Sequence, residues 1–198
     1  MTVVEDQADD AQLIMIIRHA EKPDTSGSVQ GTTPEGDPDK RSLTVRGWLR
    51  AGALVGLFAP ARGGPPAGLR RPDTVYASSY EGARSRRSVQ TVEPLADRLG
   101  LHVVRRYTAG DEAPLAEELA QRPGATVVSW HHTSIPKIAR QLGEVTPPPP
   151  PAWPSDRFDV VWTFTREGPG WRFAQVPQLL LPGDLPHPII DPAAAETA

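Results

Sequence analysis

Leu13-Ile14-Met15-Ile16-Ile17 runs directly into Arg18-His19-Ala20-Glu21-Lys22, an apolar run handing over to a charged and polar one. The apolar half is short, Ile-rich and without helical spacing, which predicts a buried strand from Gln12 to Arg18. An acidic leader precedes it, with Glu5, Asp6, Asp9 and Asp10 placing −4 in the first ten residues. After it, 24–41 is rich in Ser, Thr, Gly, Pro and Asp, too polar to pack and long enough to act as a lid or a mobile loop. Thr44 is the expected N-cap of an amphipathic helix reaching about Phe58, with Trp48, Leu49, Ala51, Leu54, Val55 and Phe58 at helical spacing.

Further along, 63–68 is a turn-rich linker and Thr74 to Ala77 a second strand. Ser85 to Leu99 reads as a helix stopped by Gly100, Leu101 to Arg105 as a third strand, and Ala113 to Gln121 as a helix. Ala125 to Trp130 is a fourth strand bounded by Pro123-Gly124, and Ile135 to Leu142 a helix ending at Gly143. This alternation predicts an α/β fold, a three-layer α/β/α sandwich with a mainly parallel sheet. The prolines 147–151 form a stiff polyproline II spacer. Phe158 to Arg166 and Trp171 to Leu180 then alternate apolar and polar residues around Gly168-Pro169-Gly170, predicting an antiparallel hairpin that extends one sheet edge. The expected organisation is a flexible leader over 1–11, one domain over 12–182 and a surface tail over 183–198.

Composition narrows the chemistry. The 198 residues are 38% hydrophobic and 23% charged, the balance of one globular domain. With Cys at 0, disulfides, thiol nucleophiles, Cys-ligated zinc and iron–sulfur clusters are excluded. The net charge of −3 gives no whole-molecule attraction to nucleic acid or anionic lipid. The opening apolar run is too short for a signal peptide or a membrane span, so a cytoplasmic protein with neither membrane nor nucleic-acid partners is expected. The average conceals a basic centre, because Arg70 to Arg106 holds eight Arg against four acids.

Ligands of mainly parallel sheets bind at the carboxyl ends of the strands. Arg18 and His19 follow the first strand, Ser78 and Ser79 the second, Asp111 and Glu112 the third, and His131 and His132 the fourth. Arg84, Arg86 and Arg87 also lie beyond the second. Arginines and histidines converging without a carboxylate pair or a Gly-rich loop describe a pocket for a phosphate dianion.

These residues carry a resemblance. Arg18-His19-Ala20 is similar to the Arg-His-Gly/Ala signature opening the histidine phosphatase (phosphoglycerate mutase-like) superfamily. Leu43-Thr44-Val45-Arg46-Gly47 resembles its Leu-Thr-x-x-Gly helix start, Arg87-Ser88-Val89-Gln90-Thr91 its Arg-Ala-x-Gln-Thr segment, and Val127 to His131 its strand ending in the second histidine. His132 resembles the smaller phosphohistidine-phosphatase branch. The resemblance implies phosphomonoester or phosphoprotein hydrolysis through a phosphohistidine on His19, with no cofactor and no metal. Arg18, Arg87 and His131 would bind phosphate. Ala83 stands where the family usually has Ser, so Arg84 or Arg86 could share or take the role of Arg87. Asp111 or Glu112 occupies the place of the mutase branch's acid, and both also suit the N-terminus of the following helix. A mutase and a catalytically weak phospho-ligand module are the alternatives, while His131-His132 adjacency and Arg18 beside His19 suit a metal poorly. Substrate choice is expected to lie with 24–41, 78–86 and the proline-rich crossing.

Overall fold

In the computed structural model, which describes residues 11–79 and 85–190, the chain runs β1 (Leu13–Arg18), α1 (Val45–Phe58), β2 (Thr74–Ala77), α2 (Arg87–Leu99), β3 (Val103–Val104), α3 (Glu112–Gln121), β4 (Ala125–Trp130), α4 (Ile135–Gln141), β5 (Val145–Thr146), β6 (Val160–Glu167) and β7 (Gly170–Pro177). The strands form one sheet in the order β3-β2-β4-β1-β6-β7-β5. β1, β4, β2 and β3 are mutually parallel, whereas β6 runs antiparallel to both β1 and β7. The expected α/β architecture, with a hairpin on one side of a mainly parallel sheet, is the one observed. No described helix is long and apolar enough to cross a membrane.

The lack of alternation in β1 has a physical cause, since both faces of the strand are covered. Leu13, Met15 and Ile17 join Leu54 and Phe58 of α1 and Val92 and Leu95 of α2 in one core cluster. Ile14 and Ile16 join Leu115 and Leu119 of α3 and Ile135 and Ile138 of α4 in the other. With helices filling both sides, the open positions around the sheet are at its strand ends.

Several elements differ from expectation. The third strand shrinks to Val103–Val104, both half-buried at the edge, and α3 begins one residue early at Glu112. β5 was not anticipated. It pairs parallel with β7, so the hairpin's outer strand is itself covered, and its ladder stops where Pro147 has no N–H to donate. Leu49, which periodicity counts as apolar face, is 61% exposed, while Arg50 beside it is 2% exposed.

Arg50 also corrects the expected tail. Its guanidinium takes Glu21 at 2.8 Å and Asp184 at 2.7 Å, both within hydrogen-bond distance. Gln178 accepts a further bond from it. A buried cation needs this degree of pairing, and breaking such a pair costs about 3–5 kcal/mol. Leu185 N–H donates to Asp159, and Ile189 is 3% exposed within the core. The domain therefore continues past 182 through 190, because the proline- and glycine-rich segment carries the carboxylate that Arg50 requires. Residues 191–198 and the acidic leader up to residue 10 lie outside the described residues.

The start of α1 fits as read: Thr44 Oγ1 accepts the Gly47 N–H at 3.1 Å and donates to the Glu21 carbonyl. α1 approaches the chain after His19 so closely that a Cβ at Gly47 would lie 2.6 Å from the Glu21 carbonyl oxygen, whereas one at Gly52 meets nothing within 4 Å. Gly47→Ala is therefore expected to lower stability by about 1–3 kcal/mol in urea unfolding, and Gly52→Ala to raise it by up to about 1 kcal/mol. Equal effects at the two positions would contradict the close approach.

Candidate active site

The site begins with register. β1 lies directly against β4 with Arg18 opposite Trp130, and the His19 N–H donates to the Trp130 carbonyl at 3.0 Å. His19 and His131 therefore leave their strands at the same level, and their rings meet edge to face with centroids 5.7 Å apart.

Arg87 arrives on the first turn of α2, which two side chains of its own helix fasten. Thr91 Oγ1 accepts the Ala20 N–H at 2.8 Å and donates to the Arg87 carbonyl at 2.7 Å. Gln90 accepts from the Leu43 N–H at 3.0 Å and donates to Ser42 Oγ at 2.9 Å. The stretch from Arg87 to Thr91 thus ties its arginine both to the loop carrying His19 and to the entrance of α1. Arg87 Nη1 donates to the Lys40 carbonyl at 3.2 Å, while its buried Nε has no hydrogen-bond partner among the described residues.

Arg18 is 1% exposed and His19 3%. The Arg18 guanidinium uses only Nη1, which reaches the carbonyls of Ser155 at 2.7 Å, Arg157 at 3.2 Å and Pro154 at 3.4 Å. Its Nε and Nη2 are buried without a partner among the described residues. Burial lowers its pKa to about 10, with Asp156 and Glu21 opposing, which leaves it charged at neutral pH. His19 Nδ1 lies 2.8 Å from the Ala20 carbonyl. A carbonyl only accepts, so Nδ1 carries the hydrogen and Nε2 the lone pair. Burial presses the His19 pKa well below its ordinary value; the Ala20 hydrogen bond works the other way, and Arg18, Arg87 and His131 deepen the fall. The ring is a neutral base beside two cations.

His132 is partly exposed and its pKa falls to about 4, through burial first and then Arg18, Lys22 and His131. Arg86 is exposed, and Arg84 lies outside the described residues. Asp111 and Glu112 take up the helix-start positions at α3. Asp111 Oδ2 accepts the Thr108 N–H at 2.9 Å. Glu112 accepts from Gly110 N–H and, at 3.2 Å, from Trp130 Nε1. Despite burial, these bonds hold the Glu112 carboxyl below its usual range, the opposite of what a proton donor at neutral pH needs. Among the described residues no three His, Asp or Glu side chains gather as a metal-ligand set.

Phe158 was missed in the sequence as a site residue. Its ring lies under Arg18, with Cζ 3.6 Å from the centroid, and stands 6.4 Å from the His19 ring. The signal was topological: a strand antiparallel to β1 brings its amino end to the carboxyl end of β1, and Ile17 pairs with Val161. A concavity of about 740 Å³ lies at the opposite end of the sheet, lined by Arg70, Arg71, Asp73, Pro123 and Gly124, and brings none of these histidines.

No family model and no curated protein matches the chain. Solved structures do. The mycobacterial glucosyl-3-phosphoglycerate phosphatase superposes with a TM-score of 0.51 at 16% identity, covering 84% of this chain and 98% of that one. The protein histidine phosphatase SixA, complexed with tungstate, gives 0.52 at 16% identity over 84% and 97%. A phosphoserine phosphatase mutant from Entamoeba histolytica in complex with phosphoserine gives 0.50 at 15% identity over 81% and 94%. The likeness spans nearly the whole of each of these chains and establishes a shared fold.

The buried environment of His19 makes a pH prediction. As pH falls through about 6.5 the unfolded chain protonates this histidine and the folded chain does not, so its contribution to stability is complete above that pH and is lost below it. Nuclear magnetic resonance should show the His19 ring still neutral at pH values where an exposed histidine is already protonated. A titration near the ordinary histidine value would contradict the assignment.

Proposed function

We propose that this chain, whose fold is that of the histidine phosphatase (phosphoglycerate mutase-like) superfamily, hydrolyses phosphorylated small molecules or phosphoproteins through a phosphohistidine on His19. The observation that carries the reading is the pairing of a neutral histidine with buried guanidinium N–H groups on Arg18 and Arg87 that have no protein partner among the described residues. Such groups cost about 1–3 kcal/mol or more when left unsatisfied, and an oxyanion satisfies them. Two structural neighbours, SixA and the glucosyl-3-phosphoglycerate phosphatase, were solved with tungstate and VO3, which supports an oxyanion as the ligand.

In this reading the His19 Nε2 lone pair forms a bond to phosphorus in line as the bond to the leaving oxygen breaks. Water then attacks the phosphohistidine, releasing orthophosphate and restoring the imidazole. Arg18, Arg87 and His131 surround the equatorial oxygens, where charge is held throughout a loose transition state. Glu112, whose carboxylate accepts from Trp130 Nε1, is assigned to positioning the residue before His131, and Asp111, whose Oδ2 accepts the Thr108 N–H, to holding the start of α3. The rest of the substrate falls to the 23–41 loop. There a concavity of about 560 Å³ lined by Pro23, Asp24, Val29, Asp39 and Lys40 shares Lys40 with the Arg87 hydrogen bond.

A panel of phosphomonoesters, with p-nitrophenyl phosphate as the generic member, tests the reading. His19→Ala should abolish turnover while its circular dichroism matches the parent protein. Arg87→Ala should lower kcat about 100- to 1,000-fold. Wild-type turnover in either variant would contradict the roles given.

A further inference from the structure

We infer that Phe158 is a positioning residue that sets the plane of the Arg18 guanidinium, and that 154–158 forms a collar choosing which edge of Arg18 meets the phosphate. The inference rests on the phosphate-binding reading above and adds to it a residue that no motif marks. The collar acts on one side of the arginine alone: the carbonyls of Pro154, Ser155 and Arg157 all converge on Nη1. That leaves the Nε–Nη2 edge, both atoms buried and without a partner among the described residues, as the planar fork suited to bidentate contact with an oxyanion.

The two N–H groups of Nη1 share these three carbonyls and anchor one corner of the guanidinium, which leaves its far edge free to tilt. The aromatic face removes that freedom, because the Arg18 Cζ sits 3.6 Å above the Phe158 centroid, at stacking distance. The ring is itself held in place. Asp159, the next residue, accepts from Arg157 Nε at 2.7 Å and from Leu185 N–H at 2.7 Å. Its carbonyl accepts the Gln178 N–H at 2.7 Å. Trp153 Nε1 donates to the Arg157 carbonyl at 2.9 Å. The same half-buried ring lies 6.4 Å from the His19 ring, so one side chain borders both the nucleophile and the phosphate-binding fork.

An aliphatic side chain can fill this space, but it offers neither a flat face nor a negative quadrupole. The test compares Phe158→Leu, Phe158→Met and Phe158→Trp with the parent protein, measuring inorganic phosphate affinity by calorimetry, thermal unfolding, and kcat and KM for p-nitrophenyl phosphate. The aliphatic variants should fold, bind phosphate about 10- to 30-fold more weakly and lose kcat/KM in proportion, while Phe158→Trp returns to within about 3-fold of the parent. In an Arg18→Lys background, which lacks the planar fork, removing the ring should cost less than about 3-fold. Parental phosphate affinity in a folded aliphatic variant, failure of Phe158→Trp to rescue, or an undiminished loss in the Arg18→Lys background would each overturn the inference while leaving phosphate binding standing. A parent protein that neither binds phosphate nor turns over any phosphomonoester overturns the phosphate reading, and this inference with it.

Discussion

The hydrogen bond from the His19 N–H to the Trp130 carbonyl closes the last rung between β1 and β4, and the carboxyl edge of the sheet takes its geometry from that rung. A slip of one residue would turn His19 to the opposite face and separate it from His131. The register is protected because both faces of β1 are buried, with Leu13, Met15 and Ile17 in one cluster and Ile14 and Ile16 in the other. From this rung the site is assembled by ties between distant segments: Thr91 to Ala20, Gln90 to Leu43, and Arg18 to the 154–157 carbonyls.

Keeping Arg18 charged in a buried place is electrostatically costly, and the surrounding structure shows how the cost is offset. Arg18 receives carbonyl oxygens on one nitrogen and an aromatic face beneath. The Arg18 and Arg87 charges in turn help keep His19 unprotonated, which a nitrogen nucleophile requires. Farther out, Arg50 draws Glu21 and Asp184 together, joining the loop beyond His19 to the C-terminal segment. The same segment meets the collar through Leu185 and Asp159. The nucleophile loop and the Arg18 collar are thereby braced by one stretch of chain.

Local signals were legible in the sequence and remote partnerships were not. β2 and β4 match their expected bounds because each is a short run rich in β-branched and aromatic residues, β4 bounded ahead by Pro123-Gly124. The Thr44 cap and the Gly100 stop carry their own local chemistry. Arg50 was hidden because its partner Asp184 lies 134 residues away in a segment whose prolines and glycines look like a tail. Phe158 was hidden for the same reason, since it meets Arg18 only through the antiparallel placement of β6 beside β1. At Glu112 both readings were visible in advance, and the geometry favours the helix start, with its carboxylate on Gly110 N–H and Trp130 Nε1.

In the proposed reaction a buried, neutral His19 takes the phosphoryl group before water does. Rapid acid-free quenching during turnover of radiolabelled phosphomonoester, followed by mass spectrometry of the peptide spanning Leu13 to Lys22, tests it most directly. The expected product is an acid-labile, alkali-stable phosphate on the His19 imidazole that forms within the first turnover and decays as substrate is exhausted. Steady hydrolysis under saturating substrate with no phosphate on His19 at any time would contradict it.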